Sequence, residues 1–137
     1  MVVRDELVES LAGLALFADL ADPELEAIAN PDWEWRFSSA ERVLRRGLSG
    51  GGFYVILDGE AAVELEGREP RVLRRGDFFG EVSTLLGVNP TADVVARTPL
   101  HCLEIPGPEL ERFLLEHPHV MFRTLQTVVR RLQDLLA

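Results

Sequence analysis

The chain has 137 residues, 47% of them apolar and 27% charged, with a formal net charge of −9. That length fits one domain able to bury roughly two-thirds of its unfolded surface, and that apolar content excludes global disorder. The acidic balance argues against a nucleic-acid surface, which needs cations to neutralise phosphates, and no stretch approaches the ~20 apolar residues that cross a bilayer.

The first segment, residues 5–18, places Leu7, Leu11 and Leu14 at i, i+4 and i+7 and predicts an amphipathic helix. Its acidic start, with no long apolar run, gives no signal peptide. Asp22-Pro23 predicts a second helix, with the aspartate at its cap and proline at its first position. Leu25, Ile28 and Ala29 supply its apolar face before Asn30-Pro31 ends it. From Trp33 the period falls to two. Trp33, Trp35 and Phe37 alternate with Glu34 and Arg36 and predict a strand with one buried aromatic face.

Val43-Leu44 predicts a short strand, and Gly47 with Gly50-Gly51-Gly52 a flexible connection. That glycine run lacks the Lys-Ser/Thr of a P-loop. Phe53 to Leu57 is a dense strand, Asp58-Gly59 the strongest hairpin signal, and Ala61, Val63 and Leu65 the returning strand. Gly67-Arg68 permits another reversal, and Val72-Leu73 leads to the turn Gly76-Asp77. Arg42, Arg45, Arg46, Arg71, Arg74 and Arg75 cluster in sequence and are read as solvated strand ends.

After Gly76-Asp77 comes Phe78-Phe79-Gly80-Glu81-Val82-Ser83-Thr84-Leu85-Leu86-Gly87, then Asn89-Pro90-Thr91-Ala92-Asp93-Val94-Val95. Gly80 frees the backbone for a close approach, and the short apolar run after it allows one or two helical turns. Free N–H groups at such a turn make a concavity suited to phosphate. A carboxylate there would repel an anion, so Glu81 is read as an acceptor for a sugar hydroxyl. Asp93 to Arg97 and Leu100 to Ile105 predict further strands, broken by Thr98-Pro99. Cys102, the one cysteine, lies in the second of these and is read as a buried, inert thiol. Eight or so short strands imply a closed or rolled antiparallel sheet.

Pro108 opens a helix through Glu116, and Pro118 starts the last one. There Met121, Leu125, Val128, Leu132 and Leu135 alternate in steps of four and three, while Val120, Phe122, Val129 and Leu136 add a second strip. Such stripes cover the chain's own core or form a coiled-coil seam with a second copy. A homodimer through this helix is expected.

Phe79-Gly80-Glu81, Leu85-Leu86, Thr91-Ala92 and Val94-Val95, with Tyr54-Val55-Ile56-Leu57-Asp58-Gly59 and Gly76-Asp77, resemble the cyclic nucleotide-binding domain family and its catabolite-activator-like sensors. The resemblance runs over about residues 14–136. It implies a mainly β fold: an antiparallel β-roll of jelly-roll type with N-terminal helices, a short cassette helix and a long C-terminal helix. As one domain over residues 1–137, this places helices at about 5–29, the roll at about 33–106 and C-terminal helices at about 108–136. The implied ligand is cAMP or cGMP. Gly80 and Ser83 would offer backbone N–H groups to its phosphate, Glu81 would accept the ribose 2′-hydroxyl, and Thr91 would lie near phosphate or base. Val82 and Ala92 complete the cassette wall, and Thr124 and Thr127 would meet the base from the final helix. Pro90 stands where the family carries its phosphate-pairing arginine, leaving Arg75 or Arg97 as substitute cations.

No nucleophile-base spacing marks catalysis, and Glu116-His117-Pro118-His119 lacks the clustered ligands of a metal site. The expected function is a non-enzymatic, cytoplasmic sensor without cofactor, metal, nucleic-acid contact or membrane insertion. The alternative is a degenerate domain of the same fold serving dimerisation or protein contacts without nucleotide.

Overall fold

The computed structural model describes residues 2–48 and 51–136. Gly50, one of the connecting glycines, lies outside them. Helix α1 (Val2–Ala12) is followed by a 3-10 turn at Ala15–Phe17 and by α2 (Asp22–Ile28). The helix expected over residues 5–18 therefore stops at Ala12. Leu14 is still buried, because the tighter turn carries its side chain to the same core as Leu7 and Leu11. The cap of α2 is Ala21 rather than Asp22. The Ala21 amide donates to the Glu24 carboxylate at 2.9 Å, so the side chain three residues on satisfies the open helix end.

Eight strands follow: β1 (Glu34–Phe37), β2 (Arg42–Leu44), β3 (Gly52–Asp58), β4 (Ala61–Glu64), β5 (Arg71–Leu73), β6 (Phe78–Phe79), β7 (Asp93–Ala96) and β8 (Leu100–Pro106). They form two antiparallel four-stranded sheets, ordered β1-β8-β3-β6 and β2-β7-β4-β5. This is the β-roll implied by the family resemblance. The short helix α3 (Glu81–Leu86) leaves β6, and α4 (Gly107–Glu116) and α5 (Pro118–Leu136) close the fold.

The two sheets divide the core by strand alternation. Phe53, Val55, Leu57, Leu103 and Ile105 point to the helices and join Leu11, Phe17, Leu110 and Val120. Tyr54, Ile56, Leu100 and Cys102 point to the second sheet and join Leu44, Leu73, Phe79 and Val94. Both faces of β3 are buried, which explains its continuous apolar run. Cys102 is fully buried, and that burial pushes its thiol pKa up to about 12.

Two local expectations change. Asp58-Gly59 does not close a hairpin, since β3 and β4 belong to different sheets. The turn instead passes the chain from one sheet to the other, beside the similar crossing at Thr98-Pro99. The Glu60 amide donates to Thr98 Oγ1 at 3.0 Å, and the Arg97 amide to the Glu60 carbonyl at 2.9 Å. Gly59 is required there: its φ is +93°, and a Cβ would lie 2.2 Å from the Pro99 carbonyl oxygen. Trp35, expected on a buried face, is 45% exposed. Strand β1 is the outer strand of its sheet, and Trp35 lies stacked on Phe37 at 6.4 Å instead of entering the core.

Candidate ligand cavity

Strand β6 sets the cassette in place. Tyr54 pairs with Phe79 and Val55 with Phe78. The rings stack across the strands, Tyr54 on Phe79 and Phe53 on Phe78, each at 4.9 Å. The chain then turns at Gly80, whose φ is +85°, and a Cβ there would lie 2.2 Å from the Gly52 carbonyl oxygen. The residue type is dictated twice, by left-handed backbone and by the approach of β3. Helix α3 begins at once. Its inner hydroxyls, Ser83 Oγ and Thr84 Oγ1, both donate back to the Gly80 carbonyl, at 3.3 and 2.7 Å. Gly87, also left-handed, ends it.

The loop after α3 is pinned to the strand β2 side. The Gly47 amide donates to the Pro90 carbonyl at 2.9 Å, and Asn89 Nδ2 donates to the Gly47 carbonyl at 3.2 Å. Asp93 accepts from the Arg46 amide at 2.7 Å and from Arg42 Nη1 at 2.8 Å. Pro90 is thereby buried against the roll, with Thr91 exposed beside it.

A cavity of about 770 Å³ opens between this cassette, the second sheet and α5, within the range of ligand sites in folded proteins. Seven of the sequence-predicted residues come together on its wall: Gly80, Glu81, Val82, Ser83, Pro90, Thr91 and Ala92. The remainder of the wall is largely apolar, with Leu44, Leu73, Phe79 and Val94 from the roll and Val128, Leu132 and Leu135 from α5. Thr124 and Thr127 do not line it. Thr124 is buried on the domain side of α5 and donates to the Val120 carbonyl at 2.8 Å, one helical turn back. Thr127 lines a smaller cleft of about 150 Å³ beside Asp77 and Arg130.

Neither proposed substitute cation reaches the cavity. Arg75 docks α1 on the roll, donating to the Ser10 hydroxyl and carbonyl and, at 2.6 Å, to the Leu57 carbonyl. Arg97 faces Glu60 at 3.8 Å.

The shielded cation on the cavity wall is Arg131, which pattern reading passed over. From α5 its guanidinium donates to Glu81 at 3.0 Å and to the Phe78 carbonyl at 2.7 Å, lying 4.5 Å above the Phe78 ring. Both charged side chains of the pair are largely shielded, at 13% and 12% exposure. Burial lowers the Arg131 pKa, and the adjacent Glu81 carboxylate opposes that shift. A sequence signal existed: Thr124, Val128 and Arg131 recur at helical spacing on the face of α5 that turns inward. A second α5 pair lines the cavity, Asp134 with Arg71 at 3.9 Å.

The sequence pattern and this geometry agree with comparison to known proteins. The family model described as "Cyclic nucleotide-binding domain" matches residues 34–117. The chain belongs to the cyclic nucleotide-binding domain family. It is 30% identical over 115 residues to a cGMP-dependent protein kinase of Eimeria tenella, an alignment covering 84% of this chain and 12% of the kinase. The chain thus corresponds to a small part of that relative. Among solved structures, a domain described as "Sp-2Cl-cAMPS bound to PKAR CBD2" superposes with TM-score 0.78 at 19% identity, covering 98% of this chain and 92% of that one. The regulatory subunit of a cAMP-independent protein kinase A from Trypanosoma cruzi, bound to guanosine, superposes with TM-score 0.70 at 23% identity, covering 95% and 50%. These likenesses concern the fold. Within the described residues, no helix is long and apolar enough to cross a membrane.

Proposed function

We propose that the chain is a non-enzymatic sensor domain that takes a nucleotide-type ligand between the cassette and α5 and reports it by moving α5. The observation that carries this reading is the Arg131–Glu81 pair. It ties the far half of a 19-residue helix to Glu81, the residue proposed to accept a sugar hydroxyl. A ribose hydroxyl bonded to Glu81 competes with the guanidinium for the same oxygens, so occupancy changes the tether. Such a ligand shifts the α5 population by the difference in its affinity for the two arrangements. The Ser83 backbone N–H and the Thr91 hydroxyl offer further polar contacts, and the apolar wall suits a flat base. cAMP and cGMP are the family's ligands and the first to titrate.

The same helix supports a homodimer. The seam left open on α5 is Phe122, Leu125, Val129, Leu132 and Leu136, each at least 54% exposed and spaced three and four apart. It differs from the stripe expected at Met121, Leu125, Val128, Leu132 and Leu135, because Val128 faces inward. Ligand and dimer are then coupled, since Leu132 belongs to both the seam and the cavity wall. The net charge of −9 and the pairing of Arg42, Arg46, Arg71 and Arg74 with carboxylates support a chain that makes no nucleic-acid contact. A buried, unpaired thiol accords with the cytoplasm.

The test is calorimetric titration with cAMP, cGMP, adenosine and guanosine, combined with hydrogen exchange over residues 126–136. Saturable heat with altered exchange in α5 is expected. Four silent titrations would overturn the sensor reading.

A further inference from the structure

The charge of the cavity wall decides which member of the nucleotide class fits, an inference resting on the reading that this cavity is the ligand site. Six charged side chains line it: Arg68, Glu69, Arg71, Glu81, Arg131 and Asp134. Their formal charges sum to zero. Arg131 is held by Glu81 and the Phe78 carbonyl, and Arg71 faces Asp134. Arg68 and Glu69, neighbours in sequence, are both exposed, and Arg68 has no ion-pair partner among the described residues. At the position beside the cassette where a guanidinium would meet a phosphate, the wall is the buried ring of Pro90, which has no N–H to donate. The hydroxyls of Ser83 and Thr84 are turned back onto the Gly80 carbonyl.

We propose that this site selects an uncharged purine nucleoside over the corresponding cyclic monophosphate. A cyclic nucleotide brings one negative charge into a wall where every shielded cation already has a carboxylate partner. Taking that charge from water without a new counter-ion is unfavourable. A nucleoside brings none. Its ribose hydroxyls meet the polar end formed by Glu81 and Arg131, and its base covers Leu73, Phe79 and Val128.

Calorimetric titration of the unmodified protein with adenosine, cAMP, guanosine and cGMP decides the matter. The expected result is that one nucleoside binds about tenfold or more tightly than its own cyclic monophosphate, a difference of roughly 1.4 kcal/mol. Its affinity should also be nearly unchanged between low and high salt, because a neutral ligand carries no charge to screen. In Pro90→Arg the order should invert, the cyclic nucleotide gaining and the nucleoside not. A cyclic nucleotide that binds the unmodified chain as well as or better than its nucleoside overturns this inference while leaving the sensor reading intact. Absence of binding by all four overturns both. The unmodified chain alone gives the ranking, so the inference stays testable if the arginine variant does not fold.

Discussion

The two halves of α5 are built on different principles. The first is packed. Val120 and Thr124 are buried at 1% and 3% exposure, Val120 within the cluster that includes Phe17, Leu110 and Phe113. Arg123 pairs with Asp19, in the turn that precedes α2. The second half stands over a cavity and is held chiefly by polar contacts from Arg131 and Asp134. Dispersion and apolar burial accumulate over many contacts and are lost only with the fold. A single charged tether can be exchanged for a ligand without touching that core. The difference separates what keeps the domain folded from what lets it respond.

The largest break in this contrast is expected from Phe17→Ala. Phe17 is 1% exposed and meets Phe113 edge-on at 6.4 Å, supporting the packed half. Its removal should cost about 3–5 kcal/mol in denaturant unfolding. Gly80→Ala follows, at roughly 2–4 kcal/mol, from a left-handed alanine driven against the β3 backbone. Ligand affinity should fall with it, because the cassette must shift to relieve the contact.

Arg131→Met sharpens the comparison. It leaves the Glu81 carboxylate without its partner, and global stability should fall by only about 1–3 kcal/mol. Hydrogen exchange, by contrast, should rise over residues 128–136 and stay unchanged over residues 118–125. Equal loss of protection in both halves would show that α5 moves as one body. Glu81→Gln combined with Arg131→Met should recover part of the stability, since no unpaired charge remains.

Leu125→Glu on the open seam should leave monomer unfolding nearly unchanged and abolish self-association in sedimentation equilibrium. A variant that remains dimeric would remove α5 from the interface.

The smallest effect concerns Cys102, an independent reporter on the roll. The thiol titrates near about 8.5 in an unfolded chain and is pushed up to about 12 by burial in this fold. Above about pH 8.5 the unfolded state therefore loses a proton that the folded state keeps, and stability declines as pH rises toward the folded value. Below that window Cys102 contributes no slope. Alkylation at neutral pH should track global unfolding and rise in Arg131→Met only as far as that variant's loss of global stability requires, because the tether lies outside the roll interior.

What the sequence determined by itself follows from local rules. Strand alternation around Phe53–Leu57, the glycines at positions 59, 76 and 80, and helix-starting prolines 23, 108 and 118 identify a closed or rolled antiparallel sheet with flanking helices, and the family resemblance selects the roll. The cassette pattern brought Gly80 through Ser83 and Pro90 through Ala92 to one wall. The turn at Gly59 shows the limit. A two-residue turn signal reports that the chain reverses but not which sheet receives it, since that depends on partners 29 to 54 residues away in β7 and β8.

Tertiary structure alone decided the site's electrostatics. Arg131 lies 50 residues from Glu81, and no spacing rule links them. Arg75 and Arg97 looked equally available in sequence, yet one anchors α1 and the other faces Glu60. Local periodicity specifies which face of a helix is apolar. Which charges meet across a cavity depends on how α5 crosses the roll, and only packing sets that angle.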